Sequence, residues 1–594
     1  PGAPGRGPVI SADGSGFSRT DDRRVAVLSG LATAVFALLV LRLFHLQIVR
    51  GPDMVRQAEQ NRTQIVPLLA PRGLIVDRNG DVLVDNAPRF SLFYDYNANA
   101  PVAMDQLAED LTRWLPEQRT LIHRKMAEAR RSGKMTRLLA DVPRGAALAL
   151  MERRMLLPGV NVVVEPQRRP RYGELASHLL GYVDEVDAGE LERLRDRGFR
   201  LGQLIGKSGV EKFYDDLLRG EDGGLQFETD AAGRHVQIIR RIPSDPGDDV
   251  RLTLDRRLQA VAEEALSRST TGRGAAVALD PRNGAVRVLA SRPGFDFSKG
   301  LGAYLGDPSL PLFNRALQGT YPPGSVFKIV TAAAALTQLQ WDTKTSYVCT
   351  GVYRLGKQEF ACWGVHKRQD FFGAVAWSCN VYFYNLGLRL GADPLESMAR
   401  AFRLGEKSGI DMPTESSGLI PGRAWKKRVM RDGWFDGDSL NFCIGQGFVT
   451  ATPLQAAVLI AAVANGGTVW RPFVVDRVSD VQGQPVYQTE PLARGRVPLT
   501  DEVWAVLHRA MEGVVTIGSG RGVQRPDLLI GAKTGTAQNP HGEDHSWFTA
   551  YVGKPGEPAS LALAVFVENG GRGSVAAGPV AREIINAAFP REPK

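Results

Sequence analysis

Apolar and polar positions divide the chain into an N-terminal apolar run, a mixed middle part and a C-terminal part in which apolar strands alternate with apolar helices. Residues 25–41 carry no charge and are mostly apolar, and apolar positions continue past Arg42 to Val49. As a helix, residues 25–49 would be about 37 Å long, enough to cross a bilayer with some tilt. This core is too long for a cleaved signal peptide, and no small-residue cleavage pattern follows it. The pattern therefore predicts a transmembrane anchor at residues 25–49.

The residues before the anchor are rich in glycine, proline and serine and do not begin with methionine. We expect residues 1–24 to be a cytoplasmic tail or a cloning remnant. Arginines flank the anchor on both sides: Arg19, Arg23 and Arg24 before it, and Arg42, Arg50 and Arg56 after it. Because these charges balance, they do not decide which flank lies in the cytoplasm.

The pattern changes again after residues 246–249 (P-G-D-D). Before this point, strand-like stretches at residues 89–94 and 160–164 flank a helical stretch at residues 104–155. After it come a strand at residues 275–280, a turn, and a return strand to Ala290. The chain closes with a strand at residues 561–568 and a helix at residues 579–588. This order predicts an α/β or α+β domain, a sheet covered by helices, at residues 249–594.

Length and charge add little to this picture. At 594 residues the chain is too long for one domain. The net charge of +9, from 73 basic and 64 acidic residues, fits attraction to anionic lipid and pyrophosphate groups, and fits an arginine-rich genome equally well. No basic stripe interleaved with aromatic residues indicates nucleic acid, so we expect no such partner.

Three short polar motifs follow one another in the C-terminal part: S-x-x-K at residues 325–328, S-x-N at residues 378–380 and K-T-G-T at residues 533–536. The first alone is common by chance, but the three in this order indicate an acyl-transfer site. Prolines precede Ser325 and an apolar helical run follows it, which predicts that Ser325 lies at a helix N-terminus. Lys328 is then one turn away on the same face, where its neutral amine can take the serine proton.

The second motif is predicted to handle protons and substrate. Lys328 needs a lowered pKa to act as a base, and both the helix N-terminus and the charge of Lys533 would lower it. Ser378 would pass the proton to the leaving amine. The Asn380 amide would hold the substrate backbone.

The third motif is expected on a strand that runs beside a second apolar strand shortly after it. Lys533 and Thr534 would hold a substrate carboxylate there. Gly535 would leave room for the substrate along the strand. The backbone N–H groups of Ser325 and Thr536 would bind the oxyanion, each worth about 3–4 kcal/mol.

This constellation resembles the penicillin-binding proteins, and the resemblance runs from about residue 25 to the C-terminus. Residues 70–80 are similar to the class B signature near the membrane. Further matches are residues 206–211, 218–220, 252–255, 445–447 and 452–455. Residues 321–325 (Y-P-P-G-S), with a Cys/His-bearing insert before S-x-N, resemble the elongation type, penicillin-binding protein 2. Two departures, Val326 and the Gly-Ser-Gly at residues 518–520, are expected to touch no catalytic group.

The resemblance implies a function. It implies a peptidoglycan D,D-transpeptidase that crosslinks stem peptides through a serine acyl-enzyme during elongation, with D,D-carboxypeptidase as a side activity and β-lactams as inhibitors. It implies the penicillin-binding transpeptidase fold, with helices on a central antiparallel sheet, for residues 249–594. Residues 50–248 would form a pedestal that lifts this domain off the cytoplasmic membrane, on its periplasmic side.

The resemblance also implies partners. We expect a RodA-type glycan polymerase that contacts the anchor helix and the juxtamembrane residues 72–79, together with other membrane proteins of the elongation complex. Peptidoglycan stem peptides and the lipid-linked precursor are the expected substrates.

Two other functions stay open. A β-lactam-binding sensor or a serine β-lactamase shares the three motifs but needs no pedestal, and a lactamase also needs a deacylating carboxylate that the sequence does not reveal. A non-catalytic activator of a membrane polymerase is disfavoured by the intact motifs.

A cluster of cysteines and histidine precedes and overlaps the S-x-N motif. Cys349, Cys362, His366 and Cys379 lie within 31 residues and match a Cys3His zinc composition, although the gaps exceed those of a standard finger. A disulfide or unpaired thiols stay open, because composition does not decide pairing. The resemblance to elongation-type relatives, some of which look able to hold a metal here, favours one structural zinc ion.

Three other features receive structural interpretations. Cys443 lies in an apolar, strand-like stretch and is expected to be a buried small hydrophobe. His541 and His545 are expected in a surface turn, because proline and glycine surround His541. Residues 206–208 resemble the end of a P-loop but lack its first glycine, so no phosphate site is expected.

Overall fold

The computed structural model describes residues 19–51, 63–96, 104–132, 135–197, 199, 203–229 and 235–591. These residues pack into two compact units. The smaller unit takes its residues from 1–68, 90–164 and 223–243, and the larger unit from 69–89, 165–222 and 244–594. Parts of the predicted pedestal therefore pack in the same unit as the three motifs. The predicted division of the chain at residue 248 stays a prediction.

The N-terminal apolar run is helical. Helix Arg19–Phe44 continues as a π-helical turn, His45–Val49. Its large apolar side chains are exposed along its length. Among the described residues, Arg24–Val49 is the one helix long and apolar enough to cross a membrane, which agrees with the predicted anchor at residues 25–49.

The smaller unit contains an antiparallel sheet and a helical core. Strand Gly223–Thr229 pairs on one side with Thr63–Leu68 and on the other with His235–Ile242. The helices are Met104–Trp114, Arg119–Ser132 and Arg144–Glu152, and the core contains Leu92, Leu107, Ile122, Met126 and Leu150. The predicted continuous helical stretch at residues 104–155 is wrong in one place. Strand Thr136–Leu139 interrupts it, because this segment pairs with Leu92–Tyr94 of strand Val82–Tyr94 and buries Leu138 and Leu139.

The larger unit is built on a five-stranded antiparallel sheet. Its strands, in spatial order, are Val286–Arg292, Gly274–Leu279, Leu561–Val567, His545–Gly553 and Leu529–Ala537. Every residue of its three middle strands is buried. Since successive side chains point to opposite faces, both faces of the sheet are covered. The helices packed on it are Arg256–Ser267, Pro453–Ala464, Asp501–Thr516 and Ala577–Ala588. The predicted fold of helices on a central antiparallel sheet is confirmed.

A second sheet in the larger unit joins early and late parts of the chain. Strand Asp249–Leu252 pairs in parallel with Ile75–Val76 and antiparallel with Val475–Ser479. Strand Val475–Ser479 pairs in turn with Pro485–Gln488. The helices that carry or support the motifs are Lys328–Gln338, Phe371–Ala376, Asn380–Leu390, Ala392–Ala401, Arg423–Val429 and Asp436–Cys443.

Candidate active site

Ser325 lies on a tight turn that enters a buried helix. The 3₁₀ turn Gly324–Phe327 leads directly into helix Lys328–Gln338, as the prolines before Ser325 predict. The turn is tied down on both sides: Gly324 N donates to Gly445 O at 3.0 Å, and the Trp547 indole donates to the carbonyl of Pro322 at 3.0 Å. Ser325 is half-buried between buried neighbours. Its hydroxyl is thus held in a rigid turn that keeps partial access to solvent.

The two lysines of the motifs converge on Ser378. Lys328 Nζ donates to Ser378 O at 2.7 Å and lies 3.3 Å from Ser378 Oγ, while Lys533 Nζ donates to Ser378 Oγ at 2.8 Å and to Thr534 O at 2.8 Å. With two amines at its oxygen, the Ser378 hydroxyl has its own proton free to donate. Within the part of the chain that the structure describes, Ser325 Oγ makes no hydrogen bond. In this structure Lys328 therefore bonds to the S-x-N motif and not to Ser325.

Burial governs the charge of both lysines. It lowers the pKa of Lys328 to about 8, while nearby thiol groups act in the opposite direction. Burial, and then the charge of Lys328, hold the pKa of Lys533 well below its usual range. The sequence predicted a lowered pKa for Lys328 but assigned it to the helix N-terminus and to Lys533, whereas desolvation is the main cause. Neither lysine has a carboxylate partner among the described residues, so no carboxylate offsets the effect of burial.

The Asn380 amide is oriented by two contacts. Asn380 begins helix Asn380–Leu390, and its Oδ1 accepts from Lys328 Nζ at 2.6 Å. Its Nδ2 donates to Ala361 O at 3.1 Å. Because a side-chain amide has two N–H donors, one stays available for a substrate carbonyl. This geometry is compatible with the predicted role of Asn380 in holding the substrate backbone.

The K-T-G-T motif lies on the edge strand Leu529–Ala537 of the central sheet. This strand pairs with the strand His545–Gly553, as the sequence predicted; the pairing is antiparallel, and Lys533 lies opposite Thr549. Thr534 is buried, whereas Thr536 is half-exposed and its Oγ1 accepts from Gly573 N at 3.3 Å.

Gly535 has a packing role that the sequence did not reveal. A Cβ at this position would lie 2.8 Å from Trp547 Cβ and 3.1 Å from Val326 Cγ2. Glycine is therefore needed where the Ser325 turn packs against the strand. The expectation that Gly535 leaves room for substrate stays a prediction, because these contacts concern only the side of the strand that a Cβ would occupy. Val326 likewise contacts the motif strand instead of standing apart from it.

Ser519 is a site residue that the sequence reasoning missed. Residues 518–520 are expected to touch no catalytic group, and Ser519 Oγ lies 2.6 Å from Thr534 Oγ1, a hydroxyl that is predicted to bind substrate. Residues 518–520 lie between helix Asp501–Thr516 and the short turn Arg521–Val523. The family-like position of this Gly-Ser-Gly was the only available signal, and the contact depends on tertiary packing.

The Cys/His insert packs directly on the S-x-N motif. It forms two small hairpins, Tyr347–Cys349 with Lys367–Gln369 and Val352–Leu355 with Gln358–Ala361. The Trp363 indole N–H lies 3.1 Å from Trp377 O and 3.3 Å from Ser378 O. Asn380 N donates to Cys362 Sγ at 3.2 Å. The insert thus contacts the backbone at residues 377, 378 and 380.

The four predicted metal ligands meet in space. Cys349 Sγ and Cys362 Sγ lie 3.5 and 3.4 Å from His366 Nδ1, and all four ligand atoms, including Cys379 Sγ, lie within 4.8 Å of one another. Tetrahedral zinc with ordinary Zn–S and Zn–N bonds places S and N about 3.6 Å apart. All four cysteines of the chain are free thiols, so no disulfide competes in this structure. A hydrogen bond from Cys379 lowers the pKa of the Cys362 thiol below its usual range, which suits a thiolate ligand.

The other predictions on isolated residues have mixed outcomes. Cys443 is buried, as expected, but it ends helix Asp436–Cys443 instead of lying in a strand. Its thiol donates to backbone carbonyls of Phe383 and Leu440. His541 is exposed in a turn, but His545 is buried at the start of strand His545–Gly553, where its Nδ1 accepts from Asn569 N. The surface-turn expectation is therefore wrong for His545, because a strand of the central sheet begins there.

The fold and the three motifs are typical of a serine acyltransferase, and the comparisons with known proteins identify the family. Residues 274–586 match the penicillin-binding protein transpeptidase domain, and residues 67–252 match the penicillin-binding protein dimerisation domain. The chain is 32% identical to the peptidoglycan D,D-transpeptidase MrdA of Acinetobacter baumannii over 93% of this chain and 86% of that protein. It is 31% identical to MrdA of Escherichia coli over 92% and 91% of the two chains.

Solved structures of similar proteins support the same family. Penicillin-binding protein 2 of Helicobacter pylori, in complex with MreC, is similar with a TM-score of 0.75 and 26% identity, over 89% of this chain and 99% of that one. Penicillin-binding protein 2 of Pseudomonas aeruginosa, in complex with WCK 5153, has a TM-score of 0.66 and 28% identity, over 89% and 97% of the chains. The chain therefore belongs to the class B penicillin-binding proteins of the elongation type, and it carries a serine-type transpeptidase domain.

Proposed function

We propose that this protein crosslinks peptidoglycan stem peptides through an acyl-enzyme on Ser325 during cell elongation. The observation that carries the proposal is the position of Ser378 Oγ between the amines of Lys328 and Lys533, where Lys328 lies one turn after the half-buried Ser325. Lys328 in its neutral form takes the Ser325 proton, and the serine oxygen attacks the carbonyl carbon of the penultimate D-alanine. The peptide C–N bond breaks, Ser378 donates a proton to the departing D-alanine amine, and an acceptor amine then displaces Ser325 from the ester.

The surroundings of the site favour a transpeptidase over a β-lactamase. Among the described residues, no carboxylate bonds to Ser325, Lys328, Ser378 or Lys533. A lactamase needs such a base to activate the water that hydrolyses the ester. A long-lived penicillin adduct is therefore expected.

Penicillin labelling tests this function. Mass spectrometry of the protein treated with a fluorescent penicillin should locate a persistent adduct on Ser325. Ser325→Ala and Lys328→Ala should each lower the acylation rate by about 10⁴-fold or more, and their losses should not add, because the two groups act as a unit. Ser417→Ala, at an exposed serine elsewhere in the larger unit, is the matched control and should label normally. An adduct at normal rate in Ser325→Ala would reject the assignment, and rapid loss of the wild-type adduct would indicate a lactamase.

We further propose that helix Arg24–Val49 anchors the protein in the cytoplasmic membrane, with the catalytic unit on the periplasmic side, and that it contacts a RodA-type glycan polymerase. The exposed apolar surface of the helix supports this proposal. A solved structure of a peptidoglycan synthase complex, which concerns the structural coordination of polymerization and crosslinking, contains a similar chain, with a TM-score of 0.71 and 30% identity over 96% of this chain and 99% of that one.

Only some of the juxtamembrane residues proposed to contact the polymerase are exposed. Of the predicted contact segment at residues 72–79, Arg72, Ile75 and Asp77 are buried, so Arg78 and Asn79 are the exposed positions.

Replacing residues 25–49 by an unrelated apolar helix of equal length should abolish co-purification with the polymerase and activation of the polymerase, while penicillin labelling persists. An undiminished complex would contradict this contact.

We also propose one structural zinc ion held by Cys349, Cys362, His366 and Cys379. The meeting of three thiols and an imidazole at tetrahedral spacing supports it. A four-ligand zinc site has no open position, so the metal would crosslink the insert to the S-x-N motif and take no part in the chemistry. The protein contacts that would transmit this crosslink are the Asn380 N–H on Cys362 Sγ and the position of Cys379 between Ser378 and Asn380.

Elemental analysis decides the zinc proposal. Chelator-free protein should contain one equivalent of zinc, and Cys379→Ser should lower both zinc content and acylation rate. Cys443→Ala removes a buried cysteine outside the cluster and should retain full zinc content. Less than about a tenth of an equivalent, with a Cys349–Cys362 disulfide in the peptide map, would eliminate the site.

A further inference from the structure

Ser519 lies between two of the motifs. Its Oγ is 2.6 Å from Thr534 Oγ1 and 3.3 Å from Ala376 O, and its backbone N–H donates to Ala376 O at 3.1 Å. Ala376 ends helix Phe371–Ala376, two residues before Ser378. Gly518 permits this close approach, because a Cβ there would collide with Ala376 O. Ser519 thus links the K-T-G-T strand to the segment that leads into S-x-N.

The direction of the bond between the two hydroxyls decides what Thr534 can offer a ligand. Each hydroxyl carries one proton. If Thr534 donates to Ser519, and Ser519 donates to Ala376 O, the Thr534 oxygen presents only lone pairs to the cleft. If Ser519 donates to Thr534, the Thr534 proton is free for an acceptor. This second arrangement gives up only the 3.3 Å bond, because the Ser519 N–H still bonds to Ala376 O.

An ionised carboxylate requires the second arrangement, because it only accepts hydrogen bonds. Lys533 Nζ is already engaged by Ser378 Oγ and Thr534 O, which leaves the Thr534 hydroxyl as the more available donor. Among the described residues, Ser519 is the one group that hydrogen-bonds Thr534 Oγ1. Ser519 is therefore the hydrogen-bond donor that favours an outward orientation of the Thr534 proton.

We propose that Ser519 is a positioning residue for the carboxylate site: it donates to Thr534 Oγ1 and so orients the Thr534 hydroxyl toward the terminal carboxylate of a D-alanyl peptide or a β-lactam. The inference rests on the proposed function, in which Ser325 is acylated by these ligands. It assigns Ser519 a role in selecting carboxylate-bearing ligands that a purely structural link would not have.

Two probes that differ in one group test this role. Acylation kinetics are measured with benzylpenicillin and with its methyl ester, for wild type, Ser519→Ala and Ser519→Thr. Ser519→Ala should lower the second-order acylation constant for benzylpenicillin by about tenfold and for the ester by less than about twofold. The loss should appear in the dissociation constant of the noncovalent complex and leave the acylation step unchanged. Ser519→Thr, which keeps the hydroxyl, should retain wild-type preference for the carboxylate.

An equal loss for both probes, or no loss with either, would overturn the proposal. Ser519→Cys, whose thiol is a weak donor, should show an intermediate loss confined to the carboxylate probe, and it answers the question if Ser519→Ala does not fold. Thermal melting of each variant checks folding. Failure of wild type to be acylated by benzylpenicillin would instead reject the proposed function, so the two failures are distinguishable.

Discussion

At the residue scale, Ser378 has a backbone conformation that residues other than glycine rarely adopt. Its φ is +55°, in the left-handed region, although it is not glycine. Such strain persists only where surrounding contacts impose it, and it concentrates at functional sites. Here the contacts are Lys328 and Trp363 at the Ser378 carbonyl and Lys533 at its hydroxyl. The groups that handle protons therefore also maintain the conformation of the motif.

The buried Lys328 predicts the pH dependence of acylation. Lys328 must be neutral to accept the Ser325 proton, and burial lowers its pKa from 10.5 to about 8. With that pKa, about one molecule in ten has the neutral amine at pH 7, against about one in 3,000 for an ordinary lysine. The acylation rate should thus rise about tenfold per pH unit below pH 8 and level off above it. Stopped-flow measurement between pH 6 and 9.5 checks this, with thermal melting as the folding control; a flat profile would exclude Lys328 as the base.

Gly535 offers a second test at this scale. Gly535→Ala places a Cβ against Trp547 and Val326, so it should push the Ser325 turn off the strand. Overpacking of this kind destabilises by about 1–3 kcal/mol. Gly433→Ala, where nothing lies within 4 Å of the new Cβ, is the matched control and should change stability little. Denaturant unfolding measures both variants. Unchanged stability with lost acylation in Gly535→Ala would instead favour a role in making room for substrate.

At the element scale, the insert at residues 347–369 acts on the S-x-N motif through three consecutive residues. Ala361 contributes its carbonyl, Cys362 its sulfur and Trp363 its indole N–H. The hairpins are small and partly exposed, and they lie outside the central sheet. Their contacts indicate that the insert supports the active site as well as carrying the cysteine cluster.

Trp363→Phe isolates one of these contacts. It keeps an aromatic ring against His366 but removes the N–H that lies at Trp377 O and Ser378 O. A single hydrogen bond is worth about 1 kcal/mol, so acylation should slow about fivefold while zinc content stays unchanged. Trp114→Phe, in the smaller unit, serves as the control and should acylate normally. A wild-type rate in Trp363→Phe would show that the indole does not support Ser378.

At the scale of the whole molecule, a buried ionic cluster joins distant parts of the larger unit. Glu211 lies between Arg72 at 2.9 Å and Arg168 at 2.6 Å, and Arg72 also pairs with Asp215 at 2.9 Å. The desolvation of Glu211 opposes its charge, but the two arginines hold its pKa below the usual range. The family motifs at residues 70–80 and 206–211 therefore meet in one cluster, which explains why they occur together.

Glu211→Gln should be strongly destabilising. Removing the Glu211 charge leaves Arg168 without its ion-pair partner and leaves Arg72 with Asp215 alone, at a cost of about 3–5 kcal/mol. Glu359→Gln breaks the exposed pair with Arg354 and should cost less than about 1 kcal/mol. Chemical denaturation of the two variants provides the comparison. Equal stabilities would mean that the cluster contributes no more than a surface ion pair.

Several features could be read from the sequence because they depend on local pattern. The anchor helix follows from a long uncharged run, and the strand that carries K-T-G-T follows from an apolar run before the motif and a second apolar stretch shortly after it. The helix after Ser325 follows from the prolines that precede it. Thr136–Leu139 escaped prediction because its strand exists only through pairing with Leu92–Tyr94.

The chemistry was determined by the sequence as a set of residue types in order: a serine with a lysine one turn on, a second serine, an asparagine and a K-T-G-T strand. Their mutual contacts were decided only by the tertiary structure. Ser519 and Thr534 are 15 residues apart along the chain, and Trp363 and Ser378 are also 15 apart, yet each pair meets because separate elements pack together. A hydrogen bond across such a gap leaves no periodic signal, and burial, which sets the pKa of Lys328, is a property of the packed chain alone.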